Sequence, residues 1–212
     1  MAHVFVSGGT GFLGSRLIGR LLQRGHTVSA LARPGSESRL PKGVGMVTGD
    51  PLREETFASF IPPAHTFVHL VGAAKPTPWK GAAFRAIDQV SLEQSLLAAK
   101  AFGVKHFVYV SVAHPAPIMK AYIEVRMDCE RRIRESGIEA SILRPWYILG
   151  PGRNWPLLLQ PLYALGSLLD REAAERLGLV TIDQMLAALV WAVEHPGPRI
   201  LDVPAIRNLG SE

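Results

Sequence analysis

Eight residues near the start of the chain constrain its fold more than any others: Ser7-Gly8-Gly9-Thr10-Gly11-Phe12-Leu13-Gly14. An apolar run, His3-Val4-Phe5-Val6, leads into them, and Ser15-Arg16-Leu17-Ile18-Gly19-Arg20-Leu21-Leu22 leads out with helix-like spacing. The order is strand, tight glycine turn, helix. A helix N-terminus presents unpaired backbone N–H groups and the positive end of the helix dipole, so it is a ready anion site. Glycines let backbone approach a pyrophosphate where a Cβ would clash. The residues fit both Gly9-x-Gly11-x-x-Gly14 and Gly8-x-x-Gly11-x-x-Gly14. Strand before and helix after supply the context that such a motif requires, and a dinucleotide site is expected here.

Of the 212 residues 48% are hydrophobic and 19% charged, which fits one sizeable core and argues against disorder. One cysteine, Cys129, excludes an internal disulfide and fits a reducing compartment. The start of the chain lacks the pattern of a secretion signal, and no apolar run reaches the ~20 residues of a membrane span, so a cytoplasmic location is expected. The net charge is +5, but Arg16, Arg20, Arg24, Arg33, Arg39, Lys42, Arg131, Arg132 and Arg134 are scattered rather than clustered. That spacing reads as a solvated surface, with some charge left to attract a phosphorylated small molecule, and not as a nucleic-acid face.

Strand and helix patterns alternate. Strands are expected at His26–Ala32, Val44–Thr48, Thr66–Val71, His106–Ser111 and Ala140–Leu143, with a last one at Arg199–Val203. Continuous apolar strands such as 66–71 suit a parallel sheet buried on both faces. Helices are expected at Glu54–Phe60, at Ala82–Ala101 with Ile87, Val90, Leu92, Leu96 and Leu97 on the packed side, at Ile118–Glu135, and at Thr181–Glu194 with Thr181 as N-cap. The β-α-β order predicts a doubly wound α/β fold with ligands at the carboxyl ends of the strands. A single unit is expected over residues 1–212, with a cofactor core to about residue 150 and a small substrate or lid region after it. The apolar, proline-broken stretch Trp155–Leu169 reads as a lid, as a subunit contact in a homo-oligomer, or as a face lying on a membrane.

Six stretches together resemble the extended and atypical short-chain dehydrogenase/reductases, the NAD-dependent epimerase/dehydratase and NmrA-like group. They are Ser7–Gly14, Leu31-Ala-Arg-Pro34, Gly49-Asp50, Phe67–Ala73, Gly103–Ser111, and Glu130–Pro145 with its ending Ile142-Leu143-Arg144-Pro145. The resemblance implies a Rossmann-type sheet holding NAD or NADP. It implies pyrophosphate contacts at Gly8, Thr10, Gly11, Phe12 and Leu13, adenine near Asp50, and cofactor along Val71, Gly72 and Ala73. Val110 and Ser111 would lie near the nicotinamide ribose and Pro145 near the nicotinamide. For Asp50 the alternative is a turn residue before Pro51, and for Val71 plain core.

The end of the second strand carries Arg33, not an acid, and the nearest acid is Glu37. A guanidinium there suits the 2′-phosphate, so NADP is expected over NAD. Active short-chain reductases use a Tyr-x-x-x-Lys pair and a serine. The nearest match is Tyr122-Ile123-Glu124-Val125-Arg126, with arginine in place of lysine. Arg126 retains a charge that can lower a tyrosine pKa, but its planar fork copies an ammonium poorly. Ser111 lies one residue before the usual serine position, which Val112 occupies, and one step along a strand reverses the side chain. Tyr122, Arg126 and Ser111 are thus the candidate catalytic set, as an incomplete copy. His65 and His69 read as sharing a strand face, but no carboxylate or thiol completes a metal site with them. His114 is an alternative acid or an ordinary loop histidine; Cys129 reads as packing. In the loop after the fourth strand, Trp79 reads as a substrate contact or a capped surface ring.

Two functions fit this pattern: an NADP-dependent oxidoreductase for a small, fairly apolar carbonyl or enone, and a non-catalytic module that holds NAD(P) for sensing or structure. A sugar-nucleotide epimerase or dehydratase fits less well, because the region after Pro145 is short for gripping a nucleoside diphosphate.

Overall fold

Val4, Phe5 and Val6 are wholly inaccessible to solvent, which puts the first strand at the centre of the sheet. In a computed structural model, which describes residues 1–73, 81–152 and 171–210, β1 (His3–Ser7) pairs in parallel with β2 (Thr27–Ala32) on one side and β4 (Thr66–His69) on the other. Adding β3 (Gly45–Thr48), β5 (His106–Val110), β6 (Glu139–Leu143) and β9 (Arg199–Leu201) gives seven parallel strands in the order β3-β2-β1-β4-β5-β6-β9. This is the Rossmann-type doubly wound α/β architecture that the sequence predicts, with the reversal of strand order between β1 and β4. A second, two-stranded parallel sheet joins β7 (Tyr147–Leu149) to β8 (Leu179–Thr181).

Alternation along the strands sends neighbouring side chains to opposite faces. Val4, Val6, Val68 and Val108 meet α1 (Gly14–Gln23) and α6 (Ile182–Glu194) through Leu17, Ile18, Leu21, Met185 and Leu189. Phe5, Phe67, Phe107 and Tyr109 meet α3 (Val90–Ala101) and α4 (Lys120–Ser136) through Leu92, Leu96, Cys129 and Ile133. A three-residue helix, α2 (Gly81–Ala83), runs through a π-helical turn, Phe84–Gln89, into α3. Thr181 caps α6 by a full capping box with Gln184. A short helix, α5 (Arg171–Arg176), precedes β8, and α7 (Val203–Leu209) closes the described chain.

Several expectations need correction. Glu54–Phe60 is two 3-10 turns, Glu54–Thr56 and Ala58–Phe60, because Phe57 leaves helical geometry at φ −140°. Leu97 lies outward, 53% exposed, while Leu92 and Leu96 carry the packed side. The helix expected from Ile118 begins at Lys120, since Met119 takes left-handed backbone at φ 60°. Val203 belongs to α7 and not to β9, because Asp202 caps that helix by accepting from the Ala205 N–H at 3.0 Å. His65 stands before β4, exposed, and shares no strand face with the buried His69. Trp155–Leu169 and Trp79 lie outside the described residues. Among the described residues no helix is long and apolar enough to cross a membrane.

Candidate functional site

The glycine turn follows β1 at the carboxyl edge of the sheet, beside the strand reversal. Gly8 has φ +78°, and a Cβ on it would stand 2.7 Å from the Leu70 carbonyl carbon at the end of β4. A Cβ on Gly14 would run into the Gly8 carbonyl oxygen. Only glycines therefore let this turn close, which it does by the Gly11 N–H donating to the Gly8 carbonyl at 3.0 Å. The N-terminus of α1 carries no side-chain cap and no acid in its first turn. An uncapped helix tip behind a turn with no Cβ at Gly8, Gly11 and Gly14 fits a pyrophosphate in both charge and room. Gly11 is exposed, and Thr10, Phe12 and Leu13 are partly so. Arg16 stacks on the Phe12 ring at 4.5 Å and donates to the Phe12 carbonyl at 2.8 Å.

The other expected cofactor residues gather along the same edge. Arg33 follows β2, is exposed, and its guanidinium has no hydrogen-bond or ion-pair partner among the described residues. Asp50 follows β3; its Oδ1 accepts from the Leu52 N–H at 3.0 Å, so it shapes its own turn. Val71, Gly72 and Ala73 follow β4, and Val110 ends β5. Pro145 follows β6 and is buried, its carbonyl accepting from the Ala113 N–H at 2.9 Å.

The candidate catalytic residues divide. Tyr122, in the first turn of α4, packs edge-on against Phe84 at 4.9 Å, and the Arg126 guanidinium lies 5.0 Å over its ring. Burial raises the Tyr122 pKa, and the opposing charge of Arg126 does not reverse the shift. Arg126 itself is buried and paired with Asp88. It also donates to the Tyr109 hydroxyl at 3.0 Å and the Val110 carbonyl at 2.8 Å. Ser111 is buried and donates to Glu130 Oε1 at 2.6 Å, on the α4 side of the sheet.

Glu130 anchors a second polar cluster. Its carboxylate also accepts from both Arg144 Nε, at 3.0 Å, and Arg144 Nη2. His114 Nε2 stands 3.5 Å away. Burial pushes the Glu130 pKa up, but the bonds from Arg144 and Ser111 outweigh it and hold the carboxyl below its ordinary range. Burial, then the nearby Arg144 charge, lowers the His114 pKa. Sequence reasoning missed Asp88, Glu130 and Tyr109 as members of the site's frame. The available signal was an acid inside each of two helices that the apolar pattern packs against the sheet, a placement that demands a partner. Among the described residues no group of three His, Cys, Asp or Glu side chains is placed to hold a metal.

The strand order, the glycine-rich turn and the uncapped helix tip define a dinucleotide-binding protein of the Rossmann class. The chain belongs to the NAD(P)H-binding family, whose model matches residues 8–154. It is similar to a ceramide reductase of Caulobacter vibrioides, 27% identical over 98% of this chain and 66% of the relative. It is also similar to a 3-diazoavenalumate denitrifying reductase of a Streptomyces species, 28% identical over 72% of this chain and 58% of that one. The chain thus spans under two thirds of the length of these curated relatives. Among solved structures, the Bordetella bronchiseptica enzyme WbmH in complex with NAD+ superposes with a TM-score of 0.72. It is 22% identical, over 100% of this chain and 80% of WbmH, a likeness that establishes the fold.

Proposed function

We propose that the chain is an NADP(H)-dependent reductase for a small, fairly apolar carbonyl or enone, working in the cytoplasm. The observation that carries the reading is the glycine turn: Gly8 and Gly14 exclude any Cβ where the uncapped tip of α1 meets the strand reversal. Gly8, Thr10, Gly11, Phe12 and Leu13 hold the pyrophosphate, with Asp50 beside the adenine. Arg33 supports the choice of NADP, since its exposed guanidinium has no partner among the described residues and suits a 2′-phosphate. Val71, Gly72, Ala73, Val110 and Pro145 line the nicotinamide half. When bound, the dinucleotide supplies the hydride. Tyr122 holds the proton for the substrate oxygen, and its raised pKa keeps it protonated at neutral pH. The two curated relatives described above are reductases by name, which agrees with this direction of reaction. Residues 1–212 act as one unit, with the region after residue 150 covering the substrate.

One observation favours a second reading. Arg126 is taken up by Asp88 and Ser111 by Glu130, so neither replaces the missing lysine and serine in an obvious way. A module that binds NADP(H) without chemistry would look the same. NADPH oxidation measured over a panel of carbonyls, enones and quinones separates the two. Turnover that falls at least a hundredfold in Tyr122→Phe supports the reductase; turnover unchanged in that variant removes Tyr122 as donor. No turnover on any substrate, with NADPH still bound, selects the module.

A further inference from the structure

Asp88 is 1% exposed and lies in the π-helical turn Phe84–Gln89 ahead of α3. Wide single turns of this kind recur at functional sites because they redirect a side chain that an α-helix would place elsewhere. Its two carboxylate oxygens are used differently. Oδ2 accepts from the Ala73 N–H at 2.8 Å, and Oδ1 accepts from Arg126 Nη2. Arg126, 6% exposed, reaches on to the Val110 carbonyl. One buried ion pair therefore ties the loop after β4 to the end of β5. The loop rests on the pair without a gap: a Cβ on Gly72 would stand 2.8 Å from Arg126 Nη2 and 3.3 Å from Asp88 Oδ1.

We infer that Asp88 is a positioning residue which, through Arg126, fixes the backbone of Gly72, Ala73 and Val110 as the platform for the nicotinamide half of the dinucleotide. The inference rests on the cofactor reading proposed above and assigns Arg126 a task other than activating Tyr122. A carboxylate in contact with the guanidinium opposes the charge that would act on the tyrosine. The same contact makes both groups indispensable to each other, because a buried charge without its partner is strongly unfavourable. Gly8–Leu13 and Arg33, the proposed contacts of the pyrophosphate and the 2′-phosphate, make no hydrogen bond or ion pair to Asp88 or Arg126 among the described residues. Platform and anion cradle are thus separable by ligand.

The test compares whole and half ligands. Wild type, Asp88→Asn, and the charge-free pair Asp88→Asn/Arg126→Met are titrated with NADPH and with adenosine 2′,5′-bisphosphate, and in parallel with NADH and ADP. Dinucleotide affinity is expected to fall at least tenfold in both variants, while the adenosine ligands stay within twofold of wild type. Asp88→Asn leaves Arg126 without its counter-charge and can fail to fold, so the double variant, which leaves no buried charge, decides that case. As a reading on the unmutated protein, the Ala73 amide should exchange hydrogen at least tenfold more slowly than in an unstructured chain. A folded variant that binds the dinucleotide as wild type does, an equal loss for the adenosine ligands, or an unprotected Ala73 amide overturns the inference. Wild type that binds the adenosine ligands and neither dinucleotide overturns the cofactor reading along with it, a result distinct from the others.

Discussion

The Ser111 hydroxyl donates to Glu130 Oε1 at 2.6 Å, and this bond directs the serine toward α4 and Arg144. The same carboxylate holds Arg144, the residue before Pro145, so the Glu130 cluster sets where β5 and β6 end. Ser111→Ala deletes one hydrogen bond to a buried charged acceptor that keeps its arginine. The expected cost is about 1–2 kcal/mol of stability, with NADPH affinity unchanged within twofold. Urea unfolding and a fluorescence titration check the two parts. A variant as stable as wild type, or one that loses the cofactor, contradicts this account of Ser111.

Tyr109 is buried and Tyr122 half-buried, and desolvation is the main cause that raises the pKa of each. Neither should ionise below about pH 10, the ordinary tyrosine value. Tyrosinate absorbance followed from pH 7 to 9 should show no contribution from Tyr122, judged by the difference between wild type and Tyr122→Phe. A transition near neutrality that disappears in Tyr122→Phe would mean that Arg126 does activate the tyrosine as a lysine would.

The elements that carry the site were legible because each combined an apolar run with a turn signal. Val4–Val6 before the glycines, Phe67–His69 before Leu70 and Phe107–Tyr109 before Ser111 are buried stretches of strands that pair in parallel. The helix capped by Thr181 was legible for the same reason. Strands β7 and β8 were not, since three residues each give no period and they pair across a long separation in sequence. The helix from Val203 did carry a signal, Asp202 followed by Pro204, a capping residue with proline in the first turn. The polar frame was the least legible part. Asp88 and Arg126 are 38 residues apart, and no local pattern joins a carboxylate on one helix to a guanidinium on another. Ser111 and Glu130 meet in the same way across 19 residues.

His69 and His106 make the fold sensitive to acid. His106 bridges Thr66 and Ser141 at 3.3 and 3.0 Å, and His69 takes Ser7 and Ser95 at 3.0 Å each. Burial, then the nearby Arg126 charge, lowers the His69 pKa to about 3; burial, then Arg199, lowers that of His106 to about 4. Folded values below the unfolded 6.5 mean that the unfolded chain binds the extra protons. Their stability contribution is therefore complete above pH 6.5 and is lost as pH falls toward the folded values. At pH 5 the two together should have cost on the order of 2–4 kcal/mol relative to pH 7.5. Urea midpoints at both pH values, in wild type and His106→Asn, measure this. The variant should lose part of the pH dependence, and an identical slope in both proteins refutes the role of His106.

Arg33 gives the sharpest discrimination between coenzymes. It stands exposed at the end of β2 with no partner among the described residues, so its replacement breaks no hydrogen bond or ion pair among them. A guanidinium on a 2′-phosphate makes charge-assisted bonds, and losing them should weaken NADPH about 10- to 100-fold. NADH has no 2′-phosphate and should bind Arg33→Ala within twofold of wild type. Because the pair would sit in solvent, rising salt should also erode the proposed preference for NADPH while leaving NADH affinity nearly constant. Titration of both coenzymes at low and high ionic strength, with wild type and Arg33→Ala, measures all four quantities. Equal losses for the two coenzymes, or an NADPH affinity that ignores both the substitution and the salt, removes Arg33 from the site and with it the preference for NADP.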